Sequence, residues 1–208
     1  IYKGKENQVT LTKVTKSQNV IIDFVPRNIY IMLDPGHGSK EINRVGNYQE
    51  HKRMWVLTKY LQKELEKFLG FAVDLTKQKE AETPGVYLRG QRAQGYDMLI
   101  SMHSNWSGDG SVDYPLAIVS SGSALNAKAR PLGTTLASVV QNTMGTRQRS
   151  QVWTRKQSDG TDWYGVIRGA ASVGTPSVIL EHSFHSNKKA RNWLMSNSNL
   201  RKMAVAEA

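Results

Sequence analysis

The chain has 208 residues, 39% hydrophobic and 22% charged, which is the composition of a globular domain and excludes a largely disordered one. A net charge of +11 favours anionic partners, while the absence of cysteine excludes a disulfide framework and any thiolate-bound metal. No apolar run approaches the length of a membrane span, and the basic residues carry no aromatic stacking ladder, so neither a membrane span nor nucleic-acid binding is expected.

Residues 1–27 are rich in lysine and threonine, with Val9, Leu11 and Val14 followed by Val20-Ile21-Ile22. This pattern fits a β-hairpin or a strand leading in from a preceding domain, and we treat 1–27 as an extension or linker. The chemistry is expected in a single domain over 28–208. There Ile29, Ile31 and Leu33, with Tyr30 and Met32 between them, predict a buried strand. Asp34-Pro35-Gly36 breaks it, and His37 follows between two glycines. A histidine just past the carboxyl end of a buried strand stands where open α/β sheets place their ligands.

A helix is predicted over 47–69, with Met54, Leu57, Leu61, Leu65 and Phe68 as its core stripe and Gly70 as its stop. Four residues before Met54 that stripe reaches Glu50, which puts a carboxylate at the head of the buried face. Asn47-x-x-Glu50 also has the spacing of a capping box, and taken alone Glu50 reads first as a cap. Strands follow at 71–75 and 98–102, the second running into His103-Ser104-Asn105-Trp106, with a short helix opened by Pro84-Gly85 between them. Residues 116–119 read as a strand and 131–144 as an amphipathic helix, with Pro131 at its first turn and Gly145 as its C-terminal cap. The basic, polar stretch 146–162 reads as a surface loop. Val166-Ile167 and residues 177–180 read as strands, the latter running into Glu181-His182-Ser183-Phe184-His185, and residues from Lys188 onward read as helical.

Strands alternating with helical patterns predict an α/β sheet covered on both faces, whose parallel strands share one carboxyl edge. Three predicted strands run into His37, His103 and Glu181, and Glu50 heads the helix after the first. Two histidines and one glutamate are a recurring ligand set for catalytic zinc, which leaves the remaining carboxylate free to act as a general base. Such a metal lowers the pKa of water to about 7 and polarises a carbonyl, which hydrolysis of an amide requires.

Asp34-Pro35-Gly36-His37-Gly38, Glu50 at a helix start, Ser101-Met102-His103-Ser104-Asn105, and Val178-Ile179-Leu180-Glu181 with Phe184 and Ser186-Asn187 occur in that order. Together they resemble the zinc-dependent N-acetylmuramoyl-L-alanine amidases of the autolysin and phage-endolysin type. Leu88-Arg89 and Val166-Ile167-Arg168 extend the match across most of the chain. The resemblance implies a mixed, mostly parallel sheet of about six strands with helices on both faces. It also implies one zinc ion held by His37, Glu50 and His103, with Glu181 as catalytic acid/base. The substrate implied is bacterial peptidoglycan, cut between N-acetylmuramic acid and the L-alanine of the stem peptide. The setting implied is the extracellular cell wall, where a monomeric basic chain would also meet anionic wall polymers.

Ser183 and His185 stand where the family commonly has a glycine and an apolar residue, and His182 is also unusual. His185 is expected as a solvated or groove residue, with metal ligation as the lesser reading. Trp106 and Trp163 are candidates for stacking on substrate, and Arg168 for a stem-peptide carboxylate or an internal ion pair. The competing readings are a zinc peptidase cutting another peptide bond of the wall, and a catalytically silent wall-binding module.

Overall fold

The computed structural model describes residues 28–208 apart from 41, 42 and 69. The hairpin expected over 1–27 lies outside the described residues. In chain order the elements are β1 (Ile29–Pro35), β2 (Arg44–Val45), β3 (Tyr48–Gln49), α1 (Glu50–Leu65), β4 (Phe71–Leu75), α2 (Val86–Gln91) and β5 (Met98–Asn105). They continue with β6 (Leu116–Val119), α3 (Ser123–Met144), β7 (Gln151–Trp153), α4 (Gly165–Ser172), β8 (Ser177–Phe184), α5 (Lys188–Met195) and α6 (Asn197–Glu207).

Six strands form one sheet in the order β4-β1-β5-β8-β6-β7, while β2 and β3 form a separate ribbon. The pairs β4/β1, β1/β5, β5/β8 and β6/β7 are parallel, and β6 runs antiparallel to β8. The expected mixed, mostly parallel sheet is therefore present. Apolar residues on both faces of the central strands explain the layering. Ile31, Leu33, Ile100, Met102, Val178 and Leu180 pack with α1, α3, α5 and α6 on one side. Met32, Leu99, Ile118 and Ile179 pack with Val166, Ile167 and Ala170 of α4 on the other. From β1 the chain crosses to β4 on one flank and then returns to β5 on the opposite flank. That reversal opens a crevice at the carboxyl ends of β1 and β5.

Several elements differ from their sequence reading. Helix α1 starts at Glu50 with Gln49 as its N-cap, and the Gln49 side chain makes no capping hydrogen bond. Asn47 instead shares the two-residue turn of the β2–β3 ribbon with Gly46, whose φ is 60°. Phe68 lies beyond the helix and is half exposed, so the core stripe ends at Leu65. Helix α3 starts eight residues before Pro131, which lies inside it. Pro131 and Ala127, whose carbonyl loses its partner, are both exposed, so water can satisfy that oxygen. Val166 and Ile167 belong to α4 rather than a strand, because a short apolar run suits either element when both its sides are buried. The loop read over 146–162 contains β7, a short edge strand. The C-terminal helical region breaks at Ser196, whose hydroxyl accepts from the Asn199 N–H and restarts it as α6.

Candidate metal centre

The strand β1 continues through Asp34 and Pro35, and the chain then turns sharply at Gly36 and His37. Asp34 is fully buried, accepts hydrogen bonds from Thr76 and Ser101, and pairs with Arg89 Nη1 at 3.3 Å. Its role is to tie β1, β4, β5 and α2 together below the loop. Gly36 is required by space: a Cβ there would lie 2.5 Å from the Met102 carbonyl oxygen and 2.6 Å from His103 Cε1. His37 adopts φ 57°, a left-handed conformation rare outside glycine, and the buried Lys77 ammonium donates to its carbonyl.

Glu50 enters from the first turn of α1 and His103 from the last part of β5. The Glu50 carboxylate is 1% exposed and lies between both imidazoles. Its Oε2 is 3.3 Å from His37 Nε2, and its Oε1 is 3.1 Å from His103 Nδ1. The two rings meet edge-on with centroids 4.7 Å apart. One ligand atom from each of the three residues can be chosen so that all lie within 4.8 Å of one another. Ligands about 2.1 Å from a tetrahedral centre stand roughly 3.4 Å apart, so the 3.3 Å between Glu50 Oε2 and His37 Nε2 fits a zinc-sized ion. The Asn43 amide adds to the fit by donating to His37 Nε2 at 2.8 Å and Glu50 Oε2 at 3.1 Å, which shows both lone pairs aimed at one region.

The charge states suit ligands. Burial alone would raise Glu50, but the bonds with His103 and His37 overcome it and hold the carboxyl far below its ordinary value. Burial lowers His103 and outweighs the pull of Glu50, which keeps the imidazole neutral.

Glu181 lies on β8 opposite His103 of β5, and in parallel strands such partners face the same side of the sheet. Burial, reinforced by the Glu50 carboxylate, pushes Glu181 well above its ordinary value. Its Oε2 is buried with no hydrogen-bond partner among the described residues. The structure thus gathers His37, Glu50, His103 and Glu181 at one crevice.

The other sequence candidates go elsewhere. His182 is fully buried and pairs with Glu207 of α6 at 2.6 Å, while its Nδ1 lies 2.9 Å from the His103 carbonyl. His185 is neither solvated nor a member of the ligand group: it is 3% exposed and stacks on Tyr48. Arg168 makes no ion pair among the described residues but donates to the carbonyls of Asp162 and Trp163. Trp106 and Trp163 are exposed, and Trp163 carries the Arg155 guanidinium over its ring at 4.0 Å. Tyr48 and Ser104 beside the carboxylate were not singled out for a role. The Gly46-Asn47 pair between Val45 and Tyr48 is a hairpin signal that would have drawn attention to Tyr48.

The domain is thus an α/β fold with two imidazoles and two carboxyl groups at a switch-point crevice, three of which could hold a metal ion. The family model for N-acetylmuramoyl-L-alanine amidases, Amidase_3, matches residues 31–208. The chain belongs to that family and is an enzyme acting as a peptidoglycan amidase. Among solved structures, the catalytic domain of the amidase CwlV from Bacillus (Paenibacillus) polymyxa var. colistinus is 18% identical with a TM-score of 0.70, over 86% of this chain and 94% of that one. An N-acetylmuramoyl-L-alanine amidase from Clostridium difficile 630 is 16% identical with a TM-score of 0.71, over 86% and 92%. Cwp6 from Clostridium difficile is 20% identical with a TM-score of 0.70 over 86% of this chain, which spans only 28% of that protein. At these identities the likeness shows a shared fold. A search of curated proteins finds no match. No helix among the described residues is long and apolar enough to cross a membrane.

Proposed function

We propose that the chain hydrolyses the amide between N-acetylmuramic acid and the L-alanine of the stem peptide, with one zinc ion held by His37, Glu50 and His103. The observation that carries this reading is the convergence of two imidazoles and the buried Glu50 carboxylate on one crevice that also holds Glu181. Zinc bound there supplies Lewis-acid polarisation of the scissile carbonyl and of the attacking water.

The protein's own groups do the rest. His37 and His103 offer ring nitrogens, and Glu50 brings the negative charge that offsets part of a dication. Asn43 sits within hydrogen-bond reach of two of these ligands, which limits where substrate oxygens enter. Glu181 takes a proton from the attacking water and returns it to the departing amine nitrogen, a task suited to a carboxyl whose proton affinity is raised. The +11 charge gathers the chain, as a monomer outside the cell, on anionic polymers of the wall.

The test is Glu181→Gln, assayed for zinc content and for turnover of purified peptidoglycan. Zinc should stay bound while turnover falls by about 10²- to 10⁴-fold. Wild-type turnover with zinc bound contradicts the role given to Glu181.

A further inference from the structure

Three buried side chains outside the ligand group meet beside Glu50. Ser104 Oγ lies 2.7 Å from the Tyr48 hydroxyl and 3.1 Å from His185 Nδ1. The same Nδ1 is 3.0 Å from the Ser104 carbonyl oxygen. A carbonyl only accepts, so Nδ1 carries the proton and donates. The rings of Tyr48 and His185 stack at 5.2 Å and 19°. Tyr48, Ser104 and His185 are 0%, 3% and 3% exposed. Burial lowers the His185 pKa and raises that of Tyr48, so both are neutral partners. The backbone fixes the group further, because His185 N–H donates to the Asn105 carbonyl and Arg191 to the His185 carbonyl, each at 2.8 Å.

His185 reaches this place through an irregularity in β8. The β5/β8 register shifts between His103 and Asn105, and Ser183 opposite that shift adopts φ 59°. The Ser183 hydroxyl is held by Asp113 Oδ1 at 2.7 Å. Regular alternation would place His185 on the face of Glu181, four residues earlier. The extra residue turns it instead to Tyr48 and Ser104.

We infer that Tyr48 and His185 are positioning residues for the metal centre, clamping Ser104 so that its backbone N–H, 2.9 Å from Glu50 Oε1, fixes the carboxylate. With Oε1 held by that N–H, Oε2 keeps its place beside His37 Nε2. The inference rests on the reading of His37, Glu50 and His103 as zinc ligands. A ligand whose non-coordinating oxygen is already held loses less freedom when the ion binds, and outer partners of this kind typically change metal affinity by about 10- to 100-fold. Simple packing would ask only for apolar rings here, without an oxygen and a ring nitrogen facing one serine.

The test measures zinc affinity of metal-free protein, by competition with a chromophoric chelator, for wild type, Tyr48→Phe, His185→Phe and His185→Asn. Melting of the metal-free forms reports the folded fraction. Tyr48→Phe and His185→Phe should bind zinc about 10- to 100-fold more weakly than wild type. His185→Asn, which keeps a donor near the Nδ1 position, should recover most of that loss. If His185→Phe does not fold, Tyr48→Phe decides, because it removes a single oxygen and keeps the stack. Wild-type zinc binding with unchanged affinity in Tyr48→Phe and His185→Phe overturns the inference and leaves the metal reading standing. His185→Asn as weak as His185→Phe overturns the hydrogen-bonded clamp. A wild-type chain that binds no zinc overturns the metal reading itself, and the clamp with it.

Discussion

His37 is held by its neighbours in a conformation it would not choose alone. Its φ of 57° is costly for a residue with a Cβ, and the Lys77 ammonium secures its carbonyl while Gly36 leaves room for the His103 ring. Gly36→Ala drives a methyl group against the Met102 carbonyl and the His103 ring, and backbone cannot yield cheaply. We expect it to cost about 1–3 kcal/mol of stability in denaturant unfolding and to abolish zinc binding in titration. Unchanged zinc affinity would show that the loop has slack the geometry denies. At this scale the ligand candidates were legible because each follows or heads a clearly patterned element. Glu50 was ambiguous, since Asn47 stands three residues before it, and only the Gly46-Asn47 turn shows that Asn47 has another use. The burial of His185 against Tyr48 was not legible, because a bulge at Ser183 leaves no mark in apolar periodicity.

Two element contacts hold the centre from outside. Helices α2 and α4 cross at glycines: a Cβ on Gly169 would lie 2.0 Å from the Tyr87 carbonyl oxygen, and one on Gly90 2.1 Å from that of Val166. Gly169→Ala must separate the helices, and we expect a loss of about 1–3 kcal/mol in chemical denaturation. On the other face, α6 docks through the fully buried His182–Glu207 pair, one residue from Glu181. Burial pulls His182 down, but Glu207 and the His103 carbonyl more than offset it, so the imidazole titrates above its ordinary 6.5. A raised histidine stabilises the fold fully below 6.5 and loses that contribution as pH rises through its folded value. Glu207→Gln should therefore cost about 3–5 kcal/mol in mildly acidic buffer, and the gap from wild type should narrow as the pH is raised. A gap that widens with pH, followed by thermal melts of both proteins, would mean that the pair does not carry the stability assigned to it. Long patterned elements such as β1, β5 and α1 were readable from sequence. The short ones were not: Val166-Ile167 in α4 carries too few residues to separate a helix period from a strand period, and β7 is only three residues long.

Across the whole molecule the sheet order explains why the chemistry gathers where it does. The chain reverses its direction of travel across the sheet between β4 and β5, so the carboxyl ends of β1 and β5 open one crevice, and His37 and His103 stand on its two sides. Strand β8, next to β5, brings Glu181 to the same edge, while β6 and β7 turn back and close the far flank. This arrangement was visible in outline from strands ending in His37, His103 and Glu181, because parallel strands share one carboxyl edge. The pairing order was not visible, since long-range strand neighbours leave no local signal. The central claim is a zinc-loaded crevice that cuts the bond to L-alanine. Its most direct test is zinc content measured together with the amino ends released from purified cell walls, before and after chelation. The account predicts near-stoichiometric zinc, alanine as the new amino end, and loss of release on chelation with recovery when zinc returns. Release that persists undiminished in zinc-free protein, or new amino ends other than alanine, would contradict it.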